Sequence, residues 1–266
     1  MAAKSHFSRT VMRLPSADLI KFTVLMAAAI WLLARGTEAL GYHWQWYRAW
    51  RYLIQAGEGG YSAGPLLAGL WVTGKITLVS LLLAFAIGLV TAGFRLSDSA
   101  VARLVARLYL EVVRNTPLLV QLFFIYFVLA PILDIDRLTS AILALSLFEG
   151  AYASEMVRAG ILSIEKGQWE AAFSLGMGKG AAYRHIILPQ ALRRMLPPLT
   201  GQAVSLIKDS ALVSTIAIYD LTMRGQAIIA ETYLTFEIWF LVAALYLAIT
   251  ISLSIGVTWM ETRLRM

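Results

Sequence analysis

From Ile238 to Met260 the chain carries no charged residue. At 1.5 Å per residue a helix over that run spans the roughly 30 Å hydrocarbon core of a bilayer, and it has no polar face to offer water. Ile76–Phe94 is almost as clean, with Lys75 at its edge free to snorkel toward the interface. Three more runs are long enough to cross: about Leu108–Leu133, which contains Pro117, about Leu138–Leu162, and about Met195–Tyr219. A shorter run, Phe22–Ala34 between Lys21 and Arg35, comes first. It reads as an uncleaved span or as the apolar region of a signal peptide, and the lack of a convincing small-x-small cleavage site after it favours the span. The expectation is an all-α integral membrane protein with six transmembrane helices. Composition agrees: 59% of residues are apolar and 15% are charged, against roughly 25% charged in soluble proteins.

Orientation follows from Lys and Arg. The basic residues recur in the N-terminal tail (Lys4, Arg9, Arg13, Lys21), between the second and third spans (Arg95, Arg103, Arg107, Arg114), and in the tail (Arg263, Arg265). The segment between the fourth and fifth spans has the most: Arg158, Lys166, Lys179, Arg184, Arg193 and Arg194. The alternate segments hold only Arg35, Arg48, Arg51, Arg137 and Arg224. Six spans with both termini cytoplasmic satisfy the positive-inside rule at every crossing. The net charge of +7 is thus spread over one membrane face rather than gathered in a nucleic-acid patch. With no cysteine, disulfides, thiol catalysis and thiolate metal sites are excluded.

Residues 1–64 read as a cytoplasmic tail, the first span and an aromatic-rich outer segment; 65–266 read as a transmembrane domain with a cytoplasmic loop at about 163–190. The cluster Tyr42, Trp44, Trp46, Tyr47, Trp50 and Tyr52 suits an interfacial belt, with a partner-docking surface as the other reading. No internal repeat is apparent. Transport sites are usually framed by two repeats, so this chain reads as one half of a pair.

The cytoplasmic loop is the most specific segment. Glu165–Leu188 reads as two short helices hinged at Gly176, where glycine accepts the left-handed conformation of a C-cap. Ala171 and Ala172 give a smooth face that another surface can approach. Pro189 is expected to stop the second helix, and Pro197-Pro198 to mark the start of the fifth span. The loop carries E-A-A-x3-G-x9-I-x-L-P from Glu170 to Pro189. This spacing resembles the signature of permease subunits of binding-protein-dependent ABC importers, in their polar amino-acid branch. Glu111–Gln121 (E-x2-R-x-T-P-L-L-V-Q), Ala151–Ile161 (A-Y-x2-E-x2-R-x-G-I) and Lys208–Leu212 (K-D-S-A-L) resemble further stretches of that branch.

The resemblance covers about Ala68–Arg263. It implies a five-helix type I ABC importer core, to which the first span is an addition. It implies a coupling helix gripped by a separate ATPase, with Glu170, Ala171, Ala172 and Gly176 as the contact core. ATP and magnesium belong to that ATPase, and this chain binds no cofactor. The implied partners are two ATP-binding subunits, a second permease subunit (the same chain or a paralogue), a periplasmic or lipid-anchored amino-acid-binding protein, and membrane lipids. The implied location is the bacterial cytoplasmic membrane, as a multi-pass protein, and the implied cargo is polar L-amino acids such as glutamate, aspartate or glutamine. An opine, cystine or a basic amino acid is the alternative cargo.

Ionisable residues within spans are costly and therefore functional candidates. Glu149 stands about 16 Å into the fourth span, and Lys208 and Asp209 stand at similar depth in the fifth. A zwitterion needs an acid for its ammonium and a donor for its carboxylate. Glu149 and Asp209 with Lys208 supply that set, and Gln121 and Ser210 could add neutral hydrogen bonds. Pairing that only holds the bundle together is the competing reading for these charges. Glu155 and Arg158, one turn apart, read as a structural pair.

Other chemistries fail on particular residues. Gly69–Ile76 is a near miss to a P-loop, but Ile76 stands where Ser or Thr must hold magnesium. His6, His43 and His185 are scattered, so neither a zinc protease motif nor an intramembrane serine protease is supported. A channel or secondary carrier would not need the E-A-A loop.

Overall fold

The computed structural model describes residues 16–39, 41–57 and 60–264 and divides into two compact units, residues 1–45 and 46–266. The basic residues Lys4, Arg9, Arg13 and Arg265 lie outside the described residues. In the first unit the helix α1 (Ser16–Ala39) takes in the whole Phe22–Ala34 run.

The second unit opens with one turn, α2 (Trp46–Ala49), a 3-10 turn, and a small antiparallel hairpin, β1 (Ile54–Gly57) with β2 (Gly60–Ala63). The hairpin is a departure from the all-α expectation, although the chain is otherwise helical. Helix α3 (Pro65–Leu96) starts on Pro65, where proline's fixed φ suits the first turn. Helix α4 (Ala100–Arg114) is capped by the Ser99 hydroxyl, which accepts from the Ala102 amide.

The run read as one span from Leu108 to Leu133 is broken. Helix α4 and the segment Leu118–Leu133 meet at 106°. That segment comprises α5 (Leu118–Phe123), a π-helical turn and α6 (Ala130–Leu133). The cause is local: Pro117 takes an extended ψ of 140° and cannot continue α4. The Gln121 amide then holds the corner, donating to the carbonyls of Val113 (2.7 Å) and Thr116 (3.0 Å).

Helix α7 (Arg137–Leu162) matches the predicted fourth span. Asp136 caps it, its carboxylate accepting from the Leu138 and Thr139 amides. The Thr139 side-chain hydroxyl first, and then these amides, hold the Asp136 carboxyl below the ordinary carboxylate range. The loop forms α8 (Lys166–Ser174) and α9 (Lys179–Ala182). After a π-helical turn over Tyr183–Ile187 the chain enters α10 (Leu188–Asp209) without a stop. Pro189 is the second residue of α10, directly after that π-helical turn, so it does not stop the helix as expected. Pro197 and Pro198 lie inside α10 rather than at its start. A 3-10 turn over Ser210–Ile216, α11 (Leu221–Thr232) and α12 (Thr235–Leu264) complete the fold.

Among the described residues, α3 and Thr235–Met260 of α12 are alone long and apolar enough to cross a membrane, and the bent pair makes a third if taken as one span. Helix α10 is amphipathic and holds Arg193 and Arg194, and it is not among them.

Close approach of α3 and α7 organises the core. A Cβ on Gly88 would stand 2.7 Å from the Ala153 methyl, and one on Gly150 would meet Ile87 at 2.8 Å. Small residues let two backbones pack closely where lipid offers no hydrophobic drive between helices. Around this seam Ile76, Leu122, Leu145, Leu206 and Val213 form the main buried cluster.

Candidate functional site

The cytoplasmic loop is a capped turn on a fixed base. The Gly176 amide donates to the Phe173 carbonyl (2.9 Å) and the Met177 amide to the Ala172 carbonyl (3.1 Å), with Gly176 at φ +76°. This is a Schellman ending, which requires the left-handed residue at that step. At the base, Arg194 donates to the Ser163 carbonyl and, at 3.2 Å, to its hydroxyl. The Trp169 ring packs edge-on against Tyr183, centroids 4.8 Å apart. Gln190 donates to the Gln168 side chain at 3.1 Å.

Glu170, Ala171 and Gly176 face solvent, while Ala172 is buried at 2% exposure. This corrects the expected smooth face of two adjacent alanines. Successive helical residues point about 100° apart, and the buried side of α8 falls on Ala172 and not on Ala171. The exposed apolar tips are instead Phe173 (46%) and Leu175 (79%). Their signal was present in the sequence as apolar residues on a polar loop, but the motif's letters drew attention away from them.

The buried acids form the second constellation. Glu149 is 1% exposed; its Oε2 accepts from Gln202 Nε2 at 2.5 Å, and its Oε1 is buried without a hydrogen-bond partner. Asp209 is a neighbour of Glu149. Lys208 is exposed, makes no ion pair among the described residues, and acts on Asp209 only through its charge. The Lys208-Asp209 pair closes α10, and the 3-10 turn begins at Ser210.

Ser210 is fully buried, its hydroxyl donating to the Ile207 carbonyl at 2.7 Å. The Gln121 amide nitrogen is occupied by the corner before α5, donating also to the Thr116 hydroxyl at 2.8 Å. Gln202 is the residue that sequence reasoning missed, being an uncharged amide outside every motif of the chain. Beside this group a cavity of about 250 Å³ is walled by Leu81, Phe85 and Leu199, with Glu149, Gln202 and Thr200 as its polar lining.

Glu155 and Arg158 pair at 3.2 Å, and Glu155 also takes Arg95 (2.8 Å) and Arg114 (2.9 Å). The pair belongs to a larger network tying α3, α4 and α7. The P-loop near miss lies within α3, where a Cβ on Gly69 would stand 2.7 Å from the Asp220 carbonyl and the Arg224 side chain. That glycine serves packing against α11.

Residues 84–266 match the family described as binding-protein-dependent transport system inner membrane component. The chain belongs to that family. Its relatives include the glutamine transport system permease protein GlnP of Escherichia coli (strain K12), 40% identical over 203 residues, which are 75% of this chain and 93% of the relative. The L-cystine transport system permease protein TcyB of Bacillus subtilis (strain 168) is 42% identical over 166 residues, 62% of this chain and 71% of that one. A crystal structure of an amino acid ABC transporter with histidines superposes with a TM-score of 0.71 at 37% identity, covering 75% of this chain and 94% of that chain.

The protein is therefore a membrane-embedded ABC permease with the type I fold, a transporter subunit rather than an enzyme. ATP hydrolysis falls to a separate chain of such a system. The two constellations stand apart in the fold: the capped loop is exposed beyond the end of α7, and Glu149 is buried among the helices.

Proposed function

We propose that this permease passes polar L-amino acids, glutamine-like in chemistry, across the bacterial cytoplasmic membrane by alternating access. Six spans with both termini cytoplasmic form one half of the pathway, and a second permease subunit forms the other. Two ATP-binding subunits grip the paired loops, and a separate binding protein delivers cargo from outside. The identity to GlnP over 93% of that relative supports the cargo class.

The observation that carries the coupling role is the loop itself. A Schellman turn with exposed Glu170, Ala171, Phe173 and Leu175 stands on a base tied to α7 and α10 by Arg194 and Trp169. A push on such a turn is passed to the helix that ends in Asp209. Gly176 sets the turn and Ala172 anchors it inward.

Along the path, Glu149 and Asp209 receive the cargo ammonium and Lys208 its carboxylate, with Ser210 shaping the turn and Gln121 holding the corner opposite. The partly unpartnered Glu149 carboxyl in a mainly apolar cavity supports this assignment. A second reading, a same-fold permease for another small solute such as an opine, cystine or a basic amino acid, is favoured by the 42% identity to the cystine permease.

The test is uptake of labelled amino acids into proteoliposomes containing the permease, its ATPase and its binding protein. Glutamine uptake that requires ATP supports the reading. Uptake of cystine alone moves the cargo to the second reading, and transport without ATP hydrolysis defeats both.

A further inference from the structure

A polar cavity of about 300 Å³ opens where the end of α3, one face of α4 and the later turns of α7 meet. Five arginines and two glutamates line it. Glu155 is already occupied by three guanidinium groups, from Arg95, Arg114 and Arg158. Glu111 accepts from the Asn115 amide at 3.0 Å. That leaves Arg103, which donates to the Ser97 carbonyl at 2.8 Å, and Arg107, which makes no ion pair among the described residues. The Nε of Arg158 is buried with no hydrogen-bond partner.

Like charges gathered in one concavity repel, and an anion relieves them. The planar fork of arginine fits a phosphate. The depth of the cavity follows from α4. Its other face presents Val101, Leu104, Val105, Leu108 and Val112, each more than half exposed. A helix with one such apolar stripe and one row of arginines, turned 106° from the next segment, suits the bilayer interface. Basic pockets at that level bind phosphate-bearing headgroups.

We propose that this cavity binds a phosphate group, held by Arg103 and Arg107, with the Arg158 guanidinium adding positive charge at the wall. The phosphodiester of an anionic phospholipid is one source, and free inorganic phosphate is the other. The proposal is independent of which solute the permease carries.

The full chain with its partner subunits is placed in nanodiscs of phosphatidylcholine with or without phosphatidylglycerol, and retained lipid is counted by native mass spectrometry. Wild type is expected to keep phosphatidylglycerol in preference to phosphatidylcholine. Arg103→Gln/Arg107→Gln should retain it about tenfold less well, the scale of one lost charge-assisted bond. In a second arm, inorganic phosphate is titrated into phosphatidylcholine discs. Binding there, without any lipid preference and lost in the double variant, assigns the site to free phosphate. If the double variant does not fold, Arg107→Gln serves alone, since Arg107 is exposed and its loss leaves every ion pair of Glu155 in place. Equal lipid retention and equal phosphate binding in wild type and variant overturn the proposal.

Discussion

The E-A-A loop and the Glu149 cluster are built on opposite principles. The loop is local: its cap is made by residues within one turn of Gly176, and its outward face is in water. The acid cluster is non-local, joining α7 to α10 through Glu149 and Gln202, fifty-three positions apart. A local device is tuned by one backbone angle, and it fails gracefully. A buried polar group depends on partners from elsewhere, and removing one leaves the other unsatisfied at about 1–3 kcal/mol.

That contrast can be broken by experiment, and the largest effect is expected at the acids. Asp209→Asn should abolish uptake in proteoliposomes while the ATPase still co-purifies; unchanged uptake removes Asp209 from the path. Next comes the loop. Gly176→Trp should reduce ATPase co-purification severely without altering which solute is preferred, because a large side chain projects from an open, exposed site. Gly176→Ala should be much milder, about 1–2 kcal/mol of left-handed strain, since an added Cβ meets nothing within 4 Å. Equal losses in both variants show that the angle alone matters, and the docking reading falls.

Gln202→Leu sharpens the same contrast from the other side. It removes the amide that meets Glu149 and should lower thermal stability by about 1–3 kcal/mol, measured by unfolding in detergent. A neutral result means that Glu149 finds another partner, and the cluster is less constrained than its geometry suggests.

The smallest effect concerns the N-terminal end of the helix that carries Glu149. The cap bonds at Asp136 hold its carboxyl below the ordinary value of 3.8. Stability from this cap is therefore fully present above that value and is lost as pH falls through the lower folded value. Wild type should melt above Asp136→Asn at neutral pH, and the difference should shrink only under strongly acidic conditions. A gap that closes instead near neutrality assigns the pH response to another group.

The legible part of this fold was whatever depends on short stretches of chain. The charge-free run at Ile238–Met260 identified α12, and the span read at Leu138–Leu162 agrees with α7 within one residue. Gly176 was legible as a cap because only its own turn demands the positive φ. The third span was read without its bend because hydropathy is blind to a corner: the run counts as apolar on average, yet Pro117 breaks its direction. The tip of the loop was misread for a similar reason, since motif letters carry no facing. Ala171 and Ala172 look equivalent in sequence, and only one of them is exposed.

The sequence by itself determined that this chain lives in a membrane, where its polar loop lies along it, and which signature that loop carries. These follow from the bilayer's uniform demand for apolar length and from backbone chemistry confined to a single turn. Tertiary structure alone decided that Gln202 meets Glu149, that Gly88 and Gly150 let α3 and α7 close on one another, and that arginines from α3, α4 and α7 share one cavity. Such pairings depend on which helix faces which, and packing selects that only once the helices are assembled.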